Sequence, residues 1–190
     1  MKMNPANSFY TPEELEHLGL MAYGKNVLIS RKASIYGAED ISLGDNVRID
    51  DFCILSGHLK LGSNIHISAY CALYGALGIE MQDYTGLSAG TILYSAMDDF
   101  SGNYLIGPVH PKELTNVSGG KIVMESYSQI GARSVVFPNV TIREGAVAGA
   151  LSLIKEDMEP WSIYAGIPAK KIKERDKQLL NRIEEFHADR

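Results

Sequence analysis

The chain is poor in cysteine, in tryptophan, in excess positive charge and in long apolar runs. Its 190 residues hold two cysteines, too few for the disulfide framework of a small secreted fold. Lys and Arg number 18 against 23 Asp and Glu, a net charge of −5, which argues against a nucleic acid or an anionic membrane as partner. No apolar stretch approaches the roughly 18 residues needed to cross a bilayer. Met1-Lys2-Met3-Asn4-Pro5 leads into polar sequence without a signal-peptide core, so the expected location is the cytoplasm. The length suits one domain, 1–190.

What is present instead is a period of six. From Met124 the sixes open on Met124, Ile130, Val136, Ile142 and Ala148, apolar every time. Their fifth places hold Ser128, Ser134, Val140, Ala146 and Ser152, small or β-branched throughout. Upstream the same frame opens on Ile29, Ile35, Leu43, Ile49, Leu55, Leu61, Ile67, Leu73, Met81, Leu87 and Leu93, with two extra residues after Ile35 and after Leu73. Six is neither the 3.6 of a helix nor the alternation of a two-faced strand. A fixed repeat dictates the architecture. The reading is an all-β solenoid of short flat faces, with one aliphatic side chain per face inside and a small residue at each corner.

Three sixes make a coil of eighteen, so stacked coils should set like on like. Arg48/His66, Phe52/Tyr70, Cys53/Cys71, Leu55/Leu73 and Gly57/Gly75 are all eighteen apart. In register, Cys53 and Cys71 would keep about the 4.8 Å of stacked strands, wider than the roughly 3.8 Å a disulfide prefers at Cβ. They read as buried thiols filling corner slots.

This repeat resembles the hexapeptide-repeat acyltransferases over most of Ile29 to Lys173. The resemblance implies a left-handed parallel β-helix, a homotrimer and acetyl-CoA as acyl donor, with no metal. The general preference of crossovers for the right hand points the other way. Coils are expected over 27–94 and 122–166, between an N-terminal cap, 1–26, and a C-terminal helix, 169–188. In the cap, Thr11-Pro12-Glu13-Glu14 is a helix start, with Leu15, Leu18 and Leu20 to cover the open end of the solenoid. The sixes vanish over the insertion 95–121. A polar, aromatic loop of that length in a compact domain is usually functional.

Gly166-Ile167-Pro168-Ala169-Lys170 resembles the signature that closes the solenoid in acyltransferases using coenzyme A. That resemblance implies a pantetheine arm passing Ala132 and Ala150, with Gly149, Ser152 and Lys155 nearby and Lys170 and Lys173 on the nucleotide phosphates. Small floor residues leave room for a thin arm, and phosphates need cations. Acyl transfer also needs a base for the nucleophile. His17 and His187, on terminal helices, and His58, in an outward turn, are bystanders, which leaves His66 and His110. His110 precedes Pro111, as in galactoside and maltose acetyltransferases, while coil register puts that family's histidine near Asp98. The hypothesis is His66 of one subunit as base, oriented by Asp98 or Asp99 of its neighbour. Tyr94, Phe100 and Tyr104 are the expected acceptor-binding rings, and the loop Ser95 to Gly102 resembles sugar acetyltransferases of surface-polysaccharide pathways. A sugar or nucleotide-linked sugar is the favoured acceptor, acylated on oxygen or nitrogen. Serine- or antibiotic-type acceptors, a zinc site using His58 and His66, and a non-catalytic sugar- or CoA-binding protein are the alternatives.

Overall fold

A computed structural model describes residues 8–188. The repeat winds into a left-handed, three-faced parallel β-helix. One face stacks Leu28–Ile29, Val47–Ile49, Ile65–Ile67, Gly86–Leu87, Gln129–Ile130 and Val147–Ala148 in parallel register. The second carries Ile92–Tyr94 between Ala72–Tyr74 and Val135–Val136, and the third carries Ile122–Met124 between Ile79–Met81 and Thr141–Ile142. The apolar first places point inward: Ile49, Ile67, Leu73, Leu93, Ile130 and Val136 are fully buried. So are the small fifth places Ser128, Ser134 and Ala146. Cys53 and Cys71 are free, buried thiols, each donating to a backbone carbonyl, Ser68 at 3.1 Å and Ser88 at 3.2 Å.

The corners explain the hand. Among the described residues eleven non-glycine residues have positive φ, and those that fall within the sixes, from Asn46 at 56° to Leu151 at 58°, all occupy the fourth place. The right-handed rule rests on twisted strands feeding long helical crossovers. Here most strands have two or three residues and meet through one left-handed residue, and no helix sets the turn. A non-glycine residue in that region costs on the order of 1 kcal/mol. Stacking along the columns offsets it. Asn26, Asn46 and Asn64 form a hydrogen-bonded ladder at 3.0 and 3.1 Å, and Phe52 stacks on Tyr70 with ring centroids 5.0 Å apart.

The expected pairs Arg48/His66, Leu55/Leu73 and Gly57/Gly75 are adjacent in register. Helix α1 (Pro12–Glu16) has Thr11 as N-cap in a full capping box and ends at His17. Leu15 is buried, and Leu18 and Leu20 pack on the first coil, closing its end. The C-terminal helix expected from 169 begins later. Ala169–Glu174 is a strand that folds back antiparallel on Ser162–Gly166, and helix α2 runs Gln178–Ala188. Lys170 and Lys173 of this strand reach solvent, while Lys171 is tied to Glu159 and Glu174.

Candidate active site

The insertion is not structureless. Leaving the second face after Tyr94, it starts as a hairpin in which Ala96–Asp98 pairs antiparallel with Val117–Gly119, and it rejoins the third face at Ile122. The carboxylates of this arm differ. Asp99 accepts from Ser101 N at 2.7 Å and from Asn116 Nδ2 at 2.9 Å, and these bonds, Ser101 first, hold it below the usual carboxylate range. It is a brace. Asp98 accepts one bond, from Gly107 N at 3.3 Å, and shares a cavity of about 320 Å³ with Tyr94, Ala96, Met97 and Phe100. Tyr94 stacks on Tyr74, centroids 5.2 Å apart. Tyr104 and His110 lie farther along the arm and do not line that cavity.

His66 projects from the first face, about half exposed, with Nε2 2.7 Å from Asp50 Oδ2. Arg48 Nε meets the other Asp50 oxygen, also at 2.7 Å. Burial acts to raise Asp50, but the bonds from His66 and Arg48 outweigh it and hold the carboxyl below its ordinary value. Within this chain, then, the carboxylate that orients His66 is Asp50. His58 is not without a partner either: its Nδ1 lies 3.4 Å from Asp40 Oδ1. His58 and His66 each hold a different carboxylate, and among the described residues no cluster of three or more His, Cys, Asp or Glu could hold a metal. The side chain of His187 lies outside the described residues.

At the far end of the solenoid a second cavity, about 370 Å³, is lined in part by Lys155, Tyr164, Pro168, Ala169, Lys170 and Lys171. Lys171 is tied to Glu159 and Glu174, both at 2.6 Å, which raises its pKa. Lys170 and Lys173 are exposed and have no ion pair among the described residues. Ala132 and Ala150 stack on one corner, linked by Leu151 N to Ala132 O at 2.8 Å. Gly131 leaves no room for a Cβ, which would lie 2.5 Å from Ala150 N. Ser152 departs from expectation. Its hydroxyl is turned inside and donates to Gly149 O at 2.7 Å, because the fifth place of a six faces the core.

No family model matches the chain. It is 44% identical over 170 residues to an Escherichia coli dTDP-4-amino-4,6-dideoxy-D-glucose acyltransferase, covering 88% of each chain. The chain belongs to the hexapeptide-repeat acyltransferases. It is also 51% identical, at a TM-score of 0.94, to AntD, an N-acyltransferase from Bacillus cereus solved with dTDP-4-amino-4,6-dideoxyglucose and coenzyme A, over 97% of this chain and 100% of that one. AntD solved with dTDP and 3-hydroxybutyryl-CoA gives 52% identity and a TM-score of 0.93, over 96% of this chain and 98% of that one. Variants of AntD have been solved that alter an aspartate or a serine ten residues before it.

Sequence reasoning on this acyltransferase missed Asp50, Tyr74 and Met97. Tyr74 had a signal: it occupies the same outward second place as Tyr94, one coil earlier. Asp50 lies two residues from Arg48 and sixteen from His66, and only the stacking of coils makes it their shared partner.

Proposed function

We propose that this enzyme transfers an acyl group from acyl-CoA to the amino group of a dTDP-4-amino-4,6-dideoxyhexose, in the cytoplasm and as a homotrimer. The observation that carries the reading is Asp98, a carboxylate on a hairpin with one amide bond and a cavity walled by Tyr94, Met97 and Phe100. Ser88 stands ten residues before it, the separation of the serine and aspartate altered in AntD. That shared separation, within a match covering nearly all of both chains, supports the reading.

The amine nitrogen attacks the thioester carbonyl, a C–N bond forms, the C–S bond breaks, and the amine proton ends on the departing thiolate. A sugar ammonium cannot attack, so a carboxylate that accepts its N–H bonds holds the amine and takes its proton. Asp98 fills that role, with the rings of Tyr94 and Phe100 on the apolar sugar face. The donor's thin arm lies along the Ala132, Gly149 and Ala150 corner. Its phosphates meet Lys155, Lys170 and Lys173, while Ser152 contributes only backbone. One edge of a prism gives a groove a single wall, and closed cyclic symmetry supplies the second. The arm's exposed Val109 (85%) and Phe100 (69%) suit such a neighbour.

The second reading makes His66 the base, favoured by its 2.7 Å contact with Asp50. Steady-state assays with acetyl-CoA and dTDP-4-amino-4,6-dideoxyglucose decide between them. Asp98→Asn is expected to lower kcat/KM by roughly 10²–10⁴, the range of a lost acid–base group, and His66→Ala by a few-fold. Near-native turnover in Asp98→Asn, with collapse in His66→Ala, would reverse the assignment.

A further inference from the structure

The chain leaves the solenoid for the arm at one residue, Ser95, the bend between the strands Ile92–Tyr94 and Ala96–Asp98. Ser95 is fully buried, and each of its polar atoms is used. Its N–H and its hydroxyl both donate to Tyr74 O, at 3.0 and 2.9 Å. The hydroxyl oxygen accepts from Leu77 N at 2.9 Å, and the Ser95 carbonyl accepts from Gly120 N, on the returning leg, at 2.9 Å. That leg is pressed close, since a Cβ on Gly119 would collide with Ser95 O.

The hydroxyl finds Leu77 because of the two extra residues after Leu73. Opposite the lone His58 of the preceding coil, this coil has Ala76, Leu77 and Gly78 between Gly75 and Ile79. The Leu77 side chain is half exposed, so the bulge is not there to fill the core. What it delivers is an amide aimed at Ser95. The solenoid itself asks for no hydroxyl at this place: in the three preceding coils it holds glycine, Gly37, Gly57 and Gly75.

We infer that Ser95 is a positioning residue for Asp98: pinned to the bulge, it fixes the direction in which the arm carries that carboxylate. The inference rests on the proposed reading of Asp98 as the group that holds the sugar amine. Asp98 accepts only the 3.3 Å bond from Gly107 N, so its place is set by the strand that bears it. Three residues of strand put Asp98 roughly 10 Å beyond the pin, and a tilt of about 6° there moves it by about 1 Å. A misplacement of about 1 Å can cost on the order of a hundredfold in rate.

Steady-state kinetics with acetyl-CoA and dTDP-4-amino-4,6-dideoxyglucose test it in Ser95→Ala, in Asp98→Asn and in the double variant. Ser95→Ala keeps the backbone bonds, and water can take the amide of half-exposed Leu77, so the fold should stand, with melting curves as the check. Its kcat/KM for the sugar should fall roughly ten- to hundredfold. Dissociation constants of dTDP and of coenzyme A, from titration calorimetry, should stay within twofold. On top of Asp98→Asn the same change should cost less than twofold, because a pin that acts through Asp98 has nothing left to place. If Ser95→Ala does not fold, Gly119→Ala, which pushes the returning leg off Ser95 O, should give the same pattern. Native kcat/KM in the folded variant overturns the inference. So does an equal loss of dTDP and coenzyme A affinity, or an undiminished loss on top of Asp98→Asn, either of which would make Ser95 a general brace. Near-native turnover in Asp98→Asn alone is a separate result, which removes the reading of Asp98 and the inference with it.

Discussion

Asn46 and Glu14 show what single side chains contribute at the ends and corners of this fold. Asn46 sits at φ 56°, accepts from Asn26 at 3.0 Å and donates to Asn64 at 3.1 Å. Asn46→Ala loses both bonds and the residue type that tolerates this backbone, so chemical denaturation should report a loss of about 1–2 kcal/mol. Asn46→Gly keeps the backbone freedom and should lose less. Glu14 takes a bond from Arg31 Nη1 at 2.7 Å and closes the capping box on Thr11 N, also at 2.7 Å. The Arg31 bond, then the Thr11 amide, lowers its pKa from 4.5 to about 2. A depressed carboxyl pKa contributes stability that is present above the unfolded value and lost as pH falls through the folded one. The contribution of Glu14 should therefore fade between about pH 4.5 and pH 2. Melting temperatures of the native chain and Glu14→Gln should converge across that window, and a gap that persists at pH 2 would show that the pair does not hold the cap.

Among the elements, the arm and the tail are where local pattern and final structure part most. Asp99 and Asn116 join the two legs of the arm, by Asp99 N to Asn116 O and by Asn116 Nδ2 to Asp99 Oδ2, both 2.9 Å. Asn116→Ala should loosen the hairpin that carries Asp98. The expected outcome is a higher KM for the sugar with little change for the acyl donor, and an equal fall for both would instead mean general unfolding. The tail is latched by Arg175, whose guanidinium donates to Tyr127 O and Gly145 O at 2.8 Å beneath the indole of Trp161. Gly145→Ala would drive a Cβ within 2.5 Å of that indole at φ 66°. The variant should lose about 1–3 kcal/mol, and the emission of the only tryptophan should shift to the red as Trp161 is pushed toward solvent.

For the whole molecule, the proposal of a groove shared between copies makes the assembly the quantity to measure. Sedimentation equilibrium should give three times the chain mass of 20.8 kDa. Trimming the exposed apolar side chains of the arm, Val109→Ser with Ile106→Ser, should weaken that assembly and turnover together. An active monomer would end the shared-groove reading.

The coil was legible because its cause is local. An aliphatic residue every sixth place, a small one four places on and a turn-tolerant residue between them leave a three-cornered stack as the way to bury the first set. The capping box of α1 and the buried state of Cys53 and Cys71 follow from the same short-range chemistry. The insertion was legible as an interruption, and in the structure Tyr94, Asp98 and Phe100 line one cavity while Tyr104 stands apart from it. Contacts that depend on which coil lies against which were decided only in three dimensions. Asp50 found His66 sixteen residues on, Asp99 was taken up by Asn116 seventeen residues on, and Ser152 turned inward to Gly149. The tail doubled back as a strand because the last coil offers an unpaired edge, a partner no helical period can announce.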